Sequence, residues 1–424
     1  MSTIITLIVG ASCLVLLRLF RKPIFSVSGL FVSVWTICLS LATLGLYGMN
    51  KPSFLVIVLS CISMALFALF AVSKITITNI VVGNSRASLG ISNLIGKEPL
   101  MKNKLIYLFH AAAYVFSIPY LKNSIYILVT KGIYYVREGA FNGSGGIAST
   151  AVLMIFQYVI SSLFLTTIIL TAIDLSNKNG SFSSIFLSLL DVVLYTLLFA
   201  GRFMMLEAIL LIIIAAIDAD ENKNILGFIQ KHKKLVILVL GLFIGLVFIT
   251  LSRSSNNFIK SAYVYFCGSF SYLSYLIKHE IGTNLFLLGR TLLGFIYNTV
   301  YTVLTVFFGI EYQGSNHIIT QLTQYMVPIG ENITYNSMGT MLHDFIADFG
   351  VYGCIIDIAI FSYICNYIER VASVKKTDFT KALYYYTIIS VVFSVLSYQF
   401  RGPGAFFTIF FLFIFTHHRR RTDE

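Results

Sequence analysis

Apolar runs of roughly 17–25 residues recur along the whole chain, and that run length decides most of what it can fold into. Wound as a helix at about 1.5 Å per residue, such a run crosses a hydrocarbon layer about 30 Å thick. Inside that layer each backbone N–H and C=O must be satisfied by the segment itself or by its partners, so only helices and closed barrels span. A barrel needs strands of about ten residues in which apolar and polar positions alternate, and no such alternation is present. Composition agrees: 57% of the 424 residues are hydrophobic and 11% are charged, against about 25% charged in a soluble domain. The expected fold class is therefore an all-α polytopic membrane protein, a single integral membrane domain over 1–424.

About 11 transmembrane helices are expected, over 2–17, 28–48, 53–72, 105–121, 150–172, 182–200, 203–217, 235–251, 346–367, 382–398 and 403–416. The first run has no basic residue ahead of it and no small-residue cleavage site, so it is expected to be a retained span. Lys and Arg in the short connections set the orientation. With the N-terminus outside, the inner connections hold Arg18, Arg21 and Lys22, then Lys74, Arg86, Lys97, Lys102 and Lys104. Lys178, Lys223, Lys231, Lys233 and Lys234 follow, then Arg370, Lys375, Lys376 and Lys381, and finally Arg419, Arg420 and Arg421 in a cytoplasmic C-terminal tail. These are most of the 30 basic residues, so the net charge of +12 is mainly a topology signal. It calls for no nucleic acid. Five of the six cysteines fall in apolar runs, and no disulfide framework is suggested.

One large outer loop, 252–345, breaks the even spacing of the spans. Its stretch 291–310, TLLGFIYNTVYTVLTVFFGI, is long enough to cross. However, residues 291–369 contain no Lys or Arg, and a cytoplasmic segment of that composition would contradict the orientation rule. A segment that dips into the outer face or lies along it is expected instead.

Five arginines fall on the outer side, each flanked by apolar or small residues: Arg137, Arg202, Arg253, Arg290 and Arg401. Charges at span ends are costly unless they face protein or a wet cavity. Arginine stays charged when desolvated and grips phosphate through two donors at once. Converging on one cavity, these residues would suit an anion such as a pyrophosphate; taken singly, each equally reads as snorkelling to headgroups. Arg202 stands in the tightest connection. Within spans, Asp191 must find a partner, Glu207 is five residues after Arg202 and could pair with it, and His110 reads as an interhelical hydrogen bonder.

The stretch YNSMGTMLHDFIADFGVYG sets His343, Asp344 and Asp348 at the lip of a span. In a helix, Asp344 and Asp348 share a face, and paired carboxylates in a dry site make a candidate acid or base. The alternative is an N-cap for the helix entering the membrane. No metal motif matches. Tyr263 and Tyr265 in the outer loop suit sugar rings or the interface belt equally.

Gly201 and Arg202 at the outer end of a middle span, then Arg253, Tyr263, Tyr265, Phe266, Gly268 and Ser269, then Asn336, Gly339, Asp344, Asp348, Phe349, Gly350 and Gly353 together resemble the bacterial oligosaccharide repeat-unit polymerases, the Wzy-type O-antigen and capsule polymerases. The resemblance covers roughly 200–355 and extends to the rest by topology. It implies a GT-C-like membrane glycosyltransferase of the bacterial cytoplasmic membrane. It also implies two substrates, donor and acceptor, both oligosaccharides on undecaprenyl pyrophosphate. On this reading Arg202, Arg253, Asp344 and His343 act in catalysis. Arg137, Arg290, Arg401, Asp348, Tyr263 and Tyr265 bind substrate, and 285–310 borders the lipid tails. No metal or nucleotide cofactor is expected; a chain-length regulator and a flippase are expected partners. An O-antigen ligase, with one of His279, His317 or His343 meeting the acceptor, and a lipid-linked oligosaccharide flippase are the competing functions.

Overall fold

A computed structural model describes residues 1–73, 99–142, 150–219, 233–253, 257–310 and 314–417. The described residues form a helical bundle. In chain order its helices are α1 (Ser2–Leu19), α2 (Val27–Leu44), α3 (Phe54–Val72), α4 (Lys104–Lys131), α5 (Ile133–Asn142), α6 (Ala151–Ser176), α7 (Phe182–Phe199), α8 (Phe203–Ala219) and α9 (Lys233–Arg253). Then come α10 (Phe258–Lys278), α11 (Gly294–Phe308) and α12 (Ser315–Thr323), a hairpin of β1 (Val327–Gly330) and β2 (Ile333–Tyr335), and finally α13 (Thr340–Lys375), α14 (Asp378–Phe393) and α15 (Pro403–His417).

A helix occupies each of the apolar runs, and among the described residues seven helices are long and apolar enough to cross a membrane. Polar residues at the run edges start them. Ser26, Ser53 and Ser181 each accept from the N–H three residues on, and Thr377 and Thr380 form a reciprocal capping box. Gly45, in the left-handed region at φ 66°, ends α2. Several boundaries differ from expectation. α4 continues past Pro119 to Lys131, α14 stops at Phe393 so that 394–402 is irregular, and α13 begins at Thr340, one and a half turns early.

The stretch expected as an outer loop is largely helical. α10 buries Tyr263, Cys267, Phe270, Leu273 and Leu276 along one face, and Phe270 meets Trp35 of α2 edge-on at 5.5 Å. Trp35 Nε1 donates to Ser394 Oγ at 2.9 Å, which ties α2 to the irregular 394–402 segment. Polar partners also lie inside the bundle. Asp191 Oδ2 is 3.0 Å from His110 Nε2, and Asp191 Oδ1 accepts from Tyr114 OH at 2.6 Å, so α4 and α7 are joined by hydrogen bonds. Asp191 and His110 thus find the partners that apolar surroundings demand.

The helices alternate so that two ends of the bundle differ. At one, Arg370 donates to Phe70 O and to Ser73 O at the end of α3, and Lys381 Nζ pairs with Asp218 at 3.0 Å. Asp174 there accepts from Leu100 N and Met101 N. These are residues from the connections expected to face inward. The connections expected to face outward meet at the other end, where the arginines and the acidic stretch lie. The basic tail from 418 on, and Arg86 and Lys97, fall outside the described residues.

Candidate functional site

Two groups of side chains sit at that second end. The first is built on the turn between α7 and α8. Ala200 takes the left-handed conformation at φ 47°, and a Cβ on Gly201 would come within 2.7 Å of Tyr195 Cε1. Glycine is what lets the chain turn back beside that ring and present Arg202. Arg202 Nη1 donates to Thr250 Oγ1 of α9 at 3.1 Å, and its guanidinium carbon lies 5.0 Å from the centre of the Tyr265 ring. The Tyr265 carbonyl accepts from Tyr335 OH at 2.8 Å, so α10 and β2 fix the ring over which the cation stacks.

Arg137 of α5 reaches the same place. Its Nη1 is 3.5 Å from Phe199 O, and it feels the charge of Arg202. Burial pushes both guanidinium groups below the ordinary arginine range; Tyr195 and Tyr265 beside Arg137, and Tyr265 and Tyr335 beside Arg202, act in the opposite sense. Arginine remains charged under such shifts. The pair with Glu207 raised by the sequence does not form: among the described residues Arg202 meets no carboxylate, and Glu207, 5% exposed, makes no hydrogen bond to any of them. Two neighbouring cations on an aromatic bed, one of them meeting no carboxylate among the described residues, have the charge and donor geometry that an anion requires.

The second group is the acidic stretch. Asp344 is 2% exposed; its Oδ1 lies 2.7 Å from Arg401 Nη1 and its Oδ2 accepts from Tyr398 N at 2.9 Å. Arg401 Nε donates to Asn316 Oδ1 at 2.9 Å, and Asn298 Nδ2 donates to Arg401 O at 2.7 Å. Asn316 Nδ2 in turn reaches Tyr158 OH at 3.3 Å, on the π-helical turn Ile155–Ile160 of α6. His343 is buried. Its Nε2 meets Ile281 O at 3.1 Å, and a Cβ on Gly282 or Gly339 would stand 2.9 Å from its side chain. Asp348 accepts from Thr291 N and Leu292 N at 2.8–3.0 Å.

Asp344 and Asp348 do share one helical turn, yet each is turned to a different partner. Asp344 holds 398–401, Asp348 holds 291–292, and the carboxyl standing against Asp348 is that of Asp357. Neither is an N-cap; Gly339 occupies that position with no side-chain cap. Asp357 has its own signal in the sequence, an acid in the middle of an apolar run.

The remaining candidates are dispersed. Tyr263 OH donates to Leu41 O and accepts from Leu46 N, both at 3.0 Å, so it braces the end of α2 and stands apart from Arg202. Arg290 is exposed, with its guanidinium carbon 5.4 Å from the centre of the Tyr297 ring. The Arg253 side chain lies outside the described residues. Among the described residues no three His, Cys, Asp or Glu side chains converge as metal ligands. No family model matches the chain, and no curated protein or solved structure matches it.

Proposed function

We propose that this chain is a bacterial membrane glycosyltransferase that polymerises oligosaccharide repeat units carried on undecaprenyl pyrophosphate. The observation that carries the reading is the Arg137–Arg202 pair on its bed of Tyr195, Tyr265 and Tyr335 at one end of an apolar bundle. The pair supplies charge for a pyrophosphate, the bundle suits a polyprenyl tail, and the tyrosine faces suit sugar rings. The topology that accompanies it has eleven spans, the N-terminus outside and the C-terminus in the cytoplasm, with the arginine end at the outer face of the inner membrane.

In the reaction, a hydroxyl of the incoming repeat unit attacks the anomeric carbon of the growing glycan. The bond from that carbon to the pyrophosphate oxygen breaks, and undecaprenyl pyrophosphate leaves with the electron pair. Arg137 and Arg202 stabilise the charge that develops on the leaving oxygen. The acceptor hydroxyl loses its proton to a carboxylate. His343, Asp344 and Asp348 are all held in bonds to the fold, so we assign that role to Glu207, the carboxylate of this region without a hydrogen bond to a described residue.

The test uses cells deleted for this gene, complemented with wild type, Arg202→Ala or Glu207→Gln, with surface glycan separated as a ladder and protein measured in the membrane fraction. Variants present at normal level that give only single repeat units support polymerisation. Loss of single units as well, with lipid-linked units accumulating, would instead indicate a ligase or a flippase.

A further inference from the structure

α13 breaks at Gly350, whose φ 75° and ψ −179° lie outside the helical region. The break frees Ala347 O and Asp348 O, which accept from Leu287 N and Leu288 N of the 283–293 segment, each at 3.0 Å. At this junction three buried oxygens have no hydrogen-bond partner: both carboxyl oxygens of Asp357 and Thr291 Oγ1. They are half of all such side-chain atoms among the described residues, so their meeting at one point calls for a cause. Asp348, Asp357 and Thr291 are each 0% exposed. Asp357 stands against the Asp348 carboxyl, and the Thr291 hydroxyl stands beside that carboxyl too.

Two backbone N–H groups on Asp348 do not offset two carboxylates. Among the described residues no Lys, Arg or His pairs with either acid; the titratable groups beside them are the Tyr398 phenol and the Cys354 thiol. Buried carboxylates without a cationic side chain are neutralised by protons or by metal coordination. A single proton shared between the acids would satisfy one Asp357 oxygen and leave the other bare. A small hard cation satisfies all of them, because carboxylate and hydroxyl oxygens are its preferred ligands. Breaks in the helices of some secondary transporters hold such ions.

We propose that Asp348, Asp357 and Thr291 form a buried site for a sodium-sized monovalent cation, which fastens the 283–293 segment to the break in α13. The site is distinct from the arginine pair and does not depend on the function proposed for it.

The test measures thermal unfolding of the full-length protein in detergent, with NaCl exchanged for choline chloride at constant ionic strength. Wild type is expected to melt higher in sodium, with a saturable dependence, since a ligand that binds only the folded state stabilises by mass action. Asp357→Asn is expected to lose that dependence while melting in choline no lower than wild type. Should Asp357→Asn fail to fold, Thr291→Val serves: it is expected to move the half-saturating sodium concentration roughly tenfold upward, one decade being about 1.4 kcal/mol. Equal melting of wild type in sodium and choline overturns the proposal, as does a sodium effect that is unchanged in Asp357→Asn or a half-saturating concentration that is unchanged in Thr291→Val. A wild-type stability that follows pH but not sodium overturns it in favour of the shared proton.

Discussion

Arg401 Nη1 lies 2.7 Å from Asp344 Oδ1, and the pair joins the start of α13 to the turn that leads into α15. Asp344 is 2% and Arg401 17% exposed by side chain, so the acid is buried and the base half-reaches the surface. Tyr398 N completes the acid and Asn316 Oδ1 takes the Arg401 Nε–H. Breaking one member of a buried, hydrogen-bonded pair leaves the other charge uncompensated, at a cost of about 3–5 kcal/mol. Asp344→Ala is therefore expected to lower the melting temperature and the amount of protein in the membrane fraction. Asp344→Ala with Arg401→Met is expected to recover part of the loss. A stable, abundant Asp344→Ala protein without activity would return Asp344 to catalysis.

Gly350 gives a second test that needs no assay of function. Its backbone lies where essentially only glycine goes, and a Cβ there would stand 3.4 Å from Phe286 Cε1. Gly350→Ala is expected to destabilise by about 1–3 kcal/mol. Gly353→Ala, on the same helix without the positive φ, reports crowding instead of strain, because a Cβ there would stand 2.6 Å from Phe349 Cβ. Thermal unfolding of both beside wild type in one detergent reads the two costs; a Gly350→Ala melting temperature equal to that of wild type would remove the strain argument.

The His110–Asp191–Tyr114 group is expected to be worth little per bond. Interhelical hydrogen bonds in membranes average about 0.6 kcal/mol, because the unfolded helices find other partners. Tyr114→Phe, which removes one donor to Asp191 at 2.6 Å, should cost less than about 1 kcal/mol. Asp191→Leu leaves His110 Nε2 facing only Thr167 Oγ1, and is expected to cost more, about 1–3 kcal/mol. Denaturant titration of the two variants measures the ratio.

How far the sequence reached can be judged at particular residues. Apolar run length located the helices α1 to α4, α6 to α9 and α13 to α15, because length and hydropathy are what a membrane selects. It could not reveal α10, whose buried residues mix Tyr263, Ser269, Ser271 and Tyr272 with Cys267, Phe270, Leu273 and Leu276, so that no continuous apolar run marks it. Tyr263 and Tyr265 were grouped as one binding surface. Two residues apart on a helix they point about 200° from each other, and the structure sends one to the end of α2 and the other beneath Arg202. Asp344 and Asp348 were paired by helical spacing. What that spacing lacks is the other chain segments, 398–401 and 291–292, which claim each carboxylate separately. The arginines were legible as a class, but of the four whose side chains are described only Arg137 and Arg202 approach each other; Arg401 is occupied by Asp344 and Arg290 lies exposed over Tyr297.

The arginine pair carries the prediction most tied to function. Arg202 presents a planar fork over Tyr265 and to Thr250, a geometry that lysine cannot reproduce, although lysine keeps the charge. If Arg202 acts as a diffuse positive charge that draws an anionic lipid, Arg202→Lys retains most activity and only Arg202→Ala fails. If it holds a pyrophosphate through two donors as the sugar bond breaks, both variants fall, Arg202→Ala by about a hundredfold, the usual loss for one donor aimed at developing charge. The bidentate role is the expected one, and Arg137→Lys is expected to behave like Arg202→Lys. Chain elongation on isolated membranes supplied with lipid-linked repeat units measures the rates, and binding of the lipid pyrophosphate to the purified variants separates lost affinity from lost turnover. Wild-type elongation by Arg202→Ala would remove this residue, and with it the anion receptor, from the mechanism.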